Sequence, residues 1–200
     1  MRIHRSLALL IATGVSASCT EVADPASLDA PDLTVAADHM DGLYKVHGNG
    51  DYVITLGDGT EIVSRFDMNV LQTSATGGAR GTFRHRLTFF GDLVDFSGVV
   101  TCMTVDPIEG RAWIGGVIHK NRSVRESFAT GEIFQPGKDI WFRVLDGEVQ
   151  GGIQDRSTFV GFEGGAGIIT SAEYCDTRPW PDANARTNPV VRGRLALTER

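Results

Sequence analysis

Runs of Leu, Ala, Glu and Lys at helical spacing are almost missing from this 200-residue chain. A helical bundle needs apolar residues at i, i+3, i+4 and i+7 over several turns, so that architecture is not expected. Cysteine is scarce: there are three, and no two are spaced as Cys-x-x-Cys, which leaves a thioredoxin-like redox site without a basis. No Gly-x-Ser-x-Gly stretch offers a nucleophile elbow. The Gly-x-Gly spacings at Gly48-Asn49-Gly50 and Gly165-Ala166-Gly167 open no helix, so neither reads as a phosphate cradle. The Asp-Gly loops lack the twelve-residue calcium frame with its closing Glu. The formal charge is −6, and a diffuse acidic surface argues against nucleic acid and anionic headgroups as partners. Its expected role is solubility.

Glycine, by contrast, is plentiful: 24 of 200 residues, against a usual ~7%. With 42% apolar residues, the composition describes one globular domain rich in turns, behind a tail. The fold class expected is all-β: an antiparallel β-sandwich or flattened β-barrel built from hairpins.

The stretch Thr82–His119 organises that expectation. Phe83, Leu87 and Phe89 alternate with Arg84, Arg86 and Thr88, the period-2 pattern of a strand with one buried and one wet face. His85 falls on the apolar side and reads as a core histidine. After a Gly91-Asp92 turn, Val94, Phe96, Val100 and Cys102 share a face. Val99, Met103 and Val105 make the other face partly apolar, so this strand is expected to be covered on both sides. Asp106–Gly110 is a turn by composition, and Ala112, Ile114 and Ile118 then alternate with Trp113, Val117 and His119.

Upstream, Leu43–Phe66 reads as a hairpin ladder with turns at Gly48–Asp51 and Gly57–Thr60. Downstream, Lys120–Lys138 is expected as a broken strand, and Asp139–Asp146 and Ser157–Phe162 as further strands. Asp176–Pro189 is expected as a long polar loop, and Val190–Thr198 as the strand that closes the sheet.

The N-terminus carries the clearest targeting signal. Residues 1–18 begin with Arg2 and Arg5, continue through an apolar stretch from Leu7 to Val15, and end in small residues, as a secretory signal peptide does. Ser16-Ala17-Ser18-Cys19 resembles the bacterial lipoprotein signal, although Ser16 stands where that family usually has Leu. The resemblance implies that Cys19 carries lipid and becomes the first residue of the mature protein. Cleavage by an ordinary signal peptidase at the same bond is the alternative. The expected organisation is therefore a signal peptide over 1–18, a lipidated flexible tether over 19–38, and a β-sandwich domain over 39–200. Loss of residues 1–18 removes Arg2 and Arg5 and no acid, leaving −8. With Cys19 acylated, Cys102 and Cys175 remain as an even pair expected to form a disulfide in an oxidising compartment. The region 76–198 also resembles uncharacterised secreted bacterial β-sandwich modules, a likeness that carries no functional residue across.

Candidate chemistry is sparse. His85 and His119 fall on nearby strands but have no third ligand at a telling spacing, so no metal site is expected. Asp139, Asp146, Glu148 and Asp155 are the acids from which a hydrolase pair would be drawn. Trp113 and Trp141 read as core. Trp180, between Pro179 and Pro181, is the candidate surface aromatic for binding. The expected function is a non-catalytic cell-envelope lipoprotein, exported and held at the membrane by its lipid. It would act on an unknown protein or carbohydrate partner and need no cofactor. The alternatives are a lipocalin-like barrel for a small apolar ligand and, behind it, a secreted hydrolase using the 139–155 acids.

Overall fold

Along Glu61–Gln72 buried and exposed residues alternate almost without exception, with Ile62, Ser64, Phe66, Met68 and Val70 turned inward. A strand with one apolar face must cover it, and here the sheet covers it by closing on itself. The computed structural model describes residues 43–164, 167–181 and 186–200. The expected signal peptide and expected tether, with Cys19, lie outside the described residues.

Nine strands form one antiparallel sheet: β1 (Tyr44–Thr55), β2 (Glu61–Gln72), β3 (Gly78–Phe89), β4 (Asp92–Asp106), β5 (Arg111–Asn121), β6 (Asp139–Leu145), β7 (Arg156–Ser157), β8 (Gly161–Phe162) and β9 (Asn188–Glu199). The first six follow one another around the sheet, β6 pairs β7, β7 pairs β9, and β9 pairs β1. The result is a closed eight-stranded barrel with β8 as an extra strand on β6. Of the two architectures expected, the chain adopts the barrel.

An eight-stranded barrel is just wide enough for side chains to fill its interior. Tyr52, Phe66, Phe96, Met103, Phe142 and Ile114 do so, each essentially inaccessible to water. Phe128 and Phe134 pack at Phe96 together with Phe162, with ring centroids 4.6–6.1 Å apart, and plug one end. Apolar inside and charged outside is the reverse of a membrane-spanning barrel. Among the described residues no helix is long and apolar enough to cross a membrane.

Several local expectations are corrected. Gly48–Asp51 is not a turn, because β1 runs straight through it. A Cβ at Gly48 or Gly50 would lie 2.4 or 2.5 Å from a carbonyl of β9, so these glycines serve close approach between strands. The Gly57–Thr60 turn is present, closed by Leu56 N–H donating to Thr60 O at 2.9 Å. In β4 a register shift between Val100 and Cys102 returns Met103 and Val105 to the interior with Val94, Phe96 and Val100, and turns Cys102 outward. Val99 is exposed, so the outer face of β4 is covered near Asp95 and Cys102 but not between them. Within 120–138, a short helix α1 (Glu126–Thr130) and a 3-10 turn (Glu132–Phe134) replace the broken strand. Ser157–Phe162 is not one strand but the ends of two, β7 and β8, both laid on β6.

A second helix, α2 (Ser171–Thr177), packs outside the barrel against β5 and β4. It is fixed by a Thr170 cap on Glu173 N–H and by Asp139, which accepts from Ser171 N–H at 2.8 Å. The Cys102–Cys175 disulfide adds a covalent tie, with Cα atoms 6.2 Å apart. The bond is consistent with an oxidising environment.

Candidate ligand-binding site

Closure of the barrel is weakest beside β6. β7 contributes two residues to the seam with β9, and the other half of β6 pairs β8 instead. Polar clips make up the difference. Tyr52 donates its hydroxyl to Thr158 O at 3.0 Å, and Asp155 accepts from Leu195 N–H at 2.8 Å and Gly147 N–H at 2.9 Å. Asp146 accepts from Leu197 N–H at 2.8 Å.

Beside this seam lies a groove of about 450 Å³. Its aromatic walls come from Trp141 of β6, Tyr174 of α2, Phe159 and Trp180, and its polar groups include Thr158, Asn188 and Arg186. Trp113 and Trp141 project from the outer faces of adjacent strands, where α2 and the chain after it cover them. Gly115 lies between them and permits this, since a Cβ there would come within 2.7 Å of Ser171 O. Tyr174 stacks on Trp141 with centroids 5.8 Å apart and planes at 22°. Burial in that stack raises the Tyr174 phenol above its ordinary range, so it is a neutral hydroxyl. Trp113 Nε1–H donates to Pro179 O at 2.8 Å and so orients the Pro179-Trp180 segment.

Trp180 itself is half-buried, with φ of 53°, and its ring carries the Arg186 guanidinium 4.1 Å from the centroid. A rigid aromatic shelf with polar groups at its margin suits a flat ligand that has an apolar face and hydroxyl edges.

Trp180, singled out in the sequence, thus stands at the groove. Trp113 and Trp141 are buried, but outside the barrel, in a satellite cluster with Tyr174 and Ile168. Tyr174, Phe159 and Arg186 escaped the sequence reading. Tyr174 was discoverable as the neighbour of a disulfide cysteine, whereas Phe159 and Arg186 carry no local signal.

The other candidate residues do not converge. His85 points into the barrel and His119 is exposed on its outside, with β4 between their strands. Of the four acids, Asp139 binds the start of α2, while Asp146 and Asp155 accept backbone amides of β9. Glu148 pairs with Arg194 at 2.9 Å. No family model, curated protein or solved structure matches the chain.

Proposed function

We propose that the protein is a non-catalytic binding module of the cell envelope, exported and lipid-anchored through Cys19, that takes a sugar ring on the aromatic groove. The observation that carries this reading is Trp180, half-buried on a shelf continuous with Trp141 and Tyr174 and bordered by hydrogen-bonding groups. Supporting the non-catalytic part is the engagement of Asp139, Asp146 and Asp155 with backbone amides of neighbouring segments. Carboxylates held in that way serve the fold and point away from a free acid-base pair.

Intrinsic fluorescence titration of the chain against neutral oligosaccharides tests the groove. Binding should quench or shift tryptophan emission, and Trp180→Ala should weaken it at least about tenfold, the scale of one lost aromatic stack. Failure of every neutral oligosaccharide to bind, or equal binding by Trp180→Ala, would discard the sugar assignment. Intact mass spectrometry of membrane-extracted protein tests the anchor, through a mass increment confined to a peptide that begins at Cys19.

A second reading retains some support. A closed antiparallel barrel is compatible with a lipocalin-like module for a small apolar ligand. Phe66, Phe96, Met103 and Phe142 occupy the interior, so such a ligand would have to displace them. Saturable binding of a fluorescent fatty acid, unaffected by Trp180→Ala, would favour that reading.

A further inference from the structure

The expected diffuse acidic surface is not what the outer face of β9, β1, β2 and β3 presents. Registry sets Arg192, Asp51, Arg65 and Arg86 in one row across the four strands. Two residues along, Asp67 faces Arg84. Arg65 is forked onto Asp51, at 2.6 and 3.1 Å, and Arg84 onto the buried Asp95, at 2.9 Å for its Nε contact. Asp51 is held below the usual carboxylate range by the Arg65 hydrogen bond, so its charge persists. Arg86 and Arg192 make no ion pair among the described residues, and Arg192 is exposed.

A groove of about 410 Å³ runs between these side chains. Its floor is the Gly50–Gly193 pair, and Gly193, at φ 96° with a Cβ position 2.1 Å from Asn49 O, admits no side chain there. Farther along the same face a second groove of about 640 Å³ is lined by Lys45, Arg80 and Arg200 and by no acid. From Arg86 to Arg80 is six residues of β3, about 20 Å at ~3.4 Å per residue. Together the two grooves and the buried Asp95 hold seven cations and three carboxylates, an excess of four on a chain of −6, which leaves −10 for the rest of the sequence. Charge is segregated by the fold, and a segregated cationic track attracts a counter-charged chain.

We infer that this face is a second binding site, for a linear polyanion, and that the polyanion is a carboxylated polysaccharide. Guanidinium forks match carboxylates bidentately, and Arg86 and Arg192, which act on Asp51 through the field but make no direct ion pair with it, have forks that can turn to a ligand. The cations are spread along a track, as the charges of a polymer are, and are not gathered around one point as a compact phosphate requires. Asp51 and Asp67, interleaved among them, repel singly charged carboxylates less than doubly charged phosphates. No aromatic side chain lines either groove apart from the buried Phe66, so the stacking platform that single-stranded nucleic acid uses is missing. The track shares no lining residue with the aromatic groove.

Calorimetric titration of the full chain with a defined oligogalacturonate, at low and at physiological salt, tests the inference. Binding should weaken as salt rises. The double variant Arg86→Ala, Arg192→Ala should bind at least about tenfold more weakly, with a shallower salt dependence. A second pair, Arg80→Ala with Arg200→Ala, should weaken binding in the same direction, and Trp180→Ala should leave it unchanged. Near-UV circular dichroism of each variant checks that the barrel is intact, as expected for side chains without ion pairs. The methyl-esterified oligomer should not bind. The inference falls if the uronate does not bind, if the esterified form binds equally, or if folded arginine variants bind like the parent. Preference for polyphosphate, single-stranded DNA or phosphatidylglycerol vesicles over the uronate overturns the choice of polymer.

Discussion

Inside the barrel, His85 sits among Phe66, Phe83 and Phe142, with ring centroids 6.5, 6.2 and 4.6 Å away. Neither ring nitrogen has a partner among the described residues. Burial without compensation disfavours the imidazolium and lowers the pKa from 6.5 to about 3. The unfolded chain therefore takes up a proton near pH 6.5 that the folded chain refuses until about pH 3. Stability from this group is fully present above pH 6.5 and falls as the pH drops toward 3. His85→Leu should remove that dependence, flattening the slope of urea-unfolding free energy over this range. At neutral pH it should stabilise the protein by about 1 kcal/mol, since an unmade hydrogen bond is replaced by an apolar contact. Destabilisation at neutral pH would show instead that the imidazole is hydrogen-bonded in solution. The alternation in Thr82–Phe90 was enough to place His85 inward. Its lack of a partner depended on which residues of β2 and β6 arrive beside it, and nothing local encodes that.

At the scale of an element, α2 shows how a segment too short for sequence periodicity is still made to fold. Its seven residues, SAEYCDT, span about two turns, and an isolated helix of that length is not stable in water. Thr170, Asp139 and the disulfide hold it, and Gly115 gives it room. The bond between Cys102 and Cys175 spans 73 positions, a loop whose closure is worth ~4 kcal/mol in the chain-entropy account. Reduction should release α2 from β5, separate Tyr174 from Trp141, and shift tryptophan emission to longer wavelength. The far-ultraviolet β signal should survive, because the barrel's strand pairing does not pass through the bond. Emission unchanged by reductant would mean that α2 docks without it. Gly115→Ala should act in the same direction, costing about 1–3 kcal/mol for the overpacking against Ser171 and Cys102.

At the scale of the molecule, the barrel closes through contacts between distant parts of the chain, Tyr44 with Glu199 and Arg156 with Pro189. Because β7 is two residues long, the carboxylates of Asp146 and Asp155 complete the seam that strand pairing leaves short. Asp155→Ala should lower stability by about 2 kcal/mol, as two amides lose their acceptor. Glu148→Ala, at an exposed pair, should cost less than about 1 kcal/mol. Thermal melts of the two variants make the comparison, and an equal small loss in both would remove Asp155 from the seam. The same four acids that suggested hydrolysis in the sequence are thus dispersed by the fold into a helix cap, two strand clips and a surface pair.

What the sequence by itself determined is what alternation and turn chemistry can carry: an all-β chain, the three strands of Thr82–His119, the strand at Asp139–Asp146, the closing strand near Val190–Thr198, and Cys102 and Cys175 as partners. The strands are local signals, and the disulfide was expected from the cysteine count once Cys19 is set aside. The tertiary structure alone decided that the sheet closes as a barrel, that a bulge in β4 turns Cys102 outward, that Trp180 joins Trp141 and Tyr174 in a groove, and that arginines from three strands line one face. Each of these depends on strand register and on which distant residues meet, and a chain of scattered arginines with a net negative charge shows no basic surface until the strands are laid side by side.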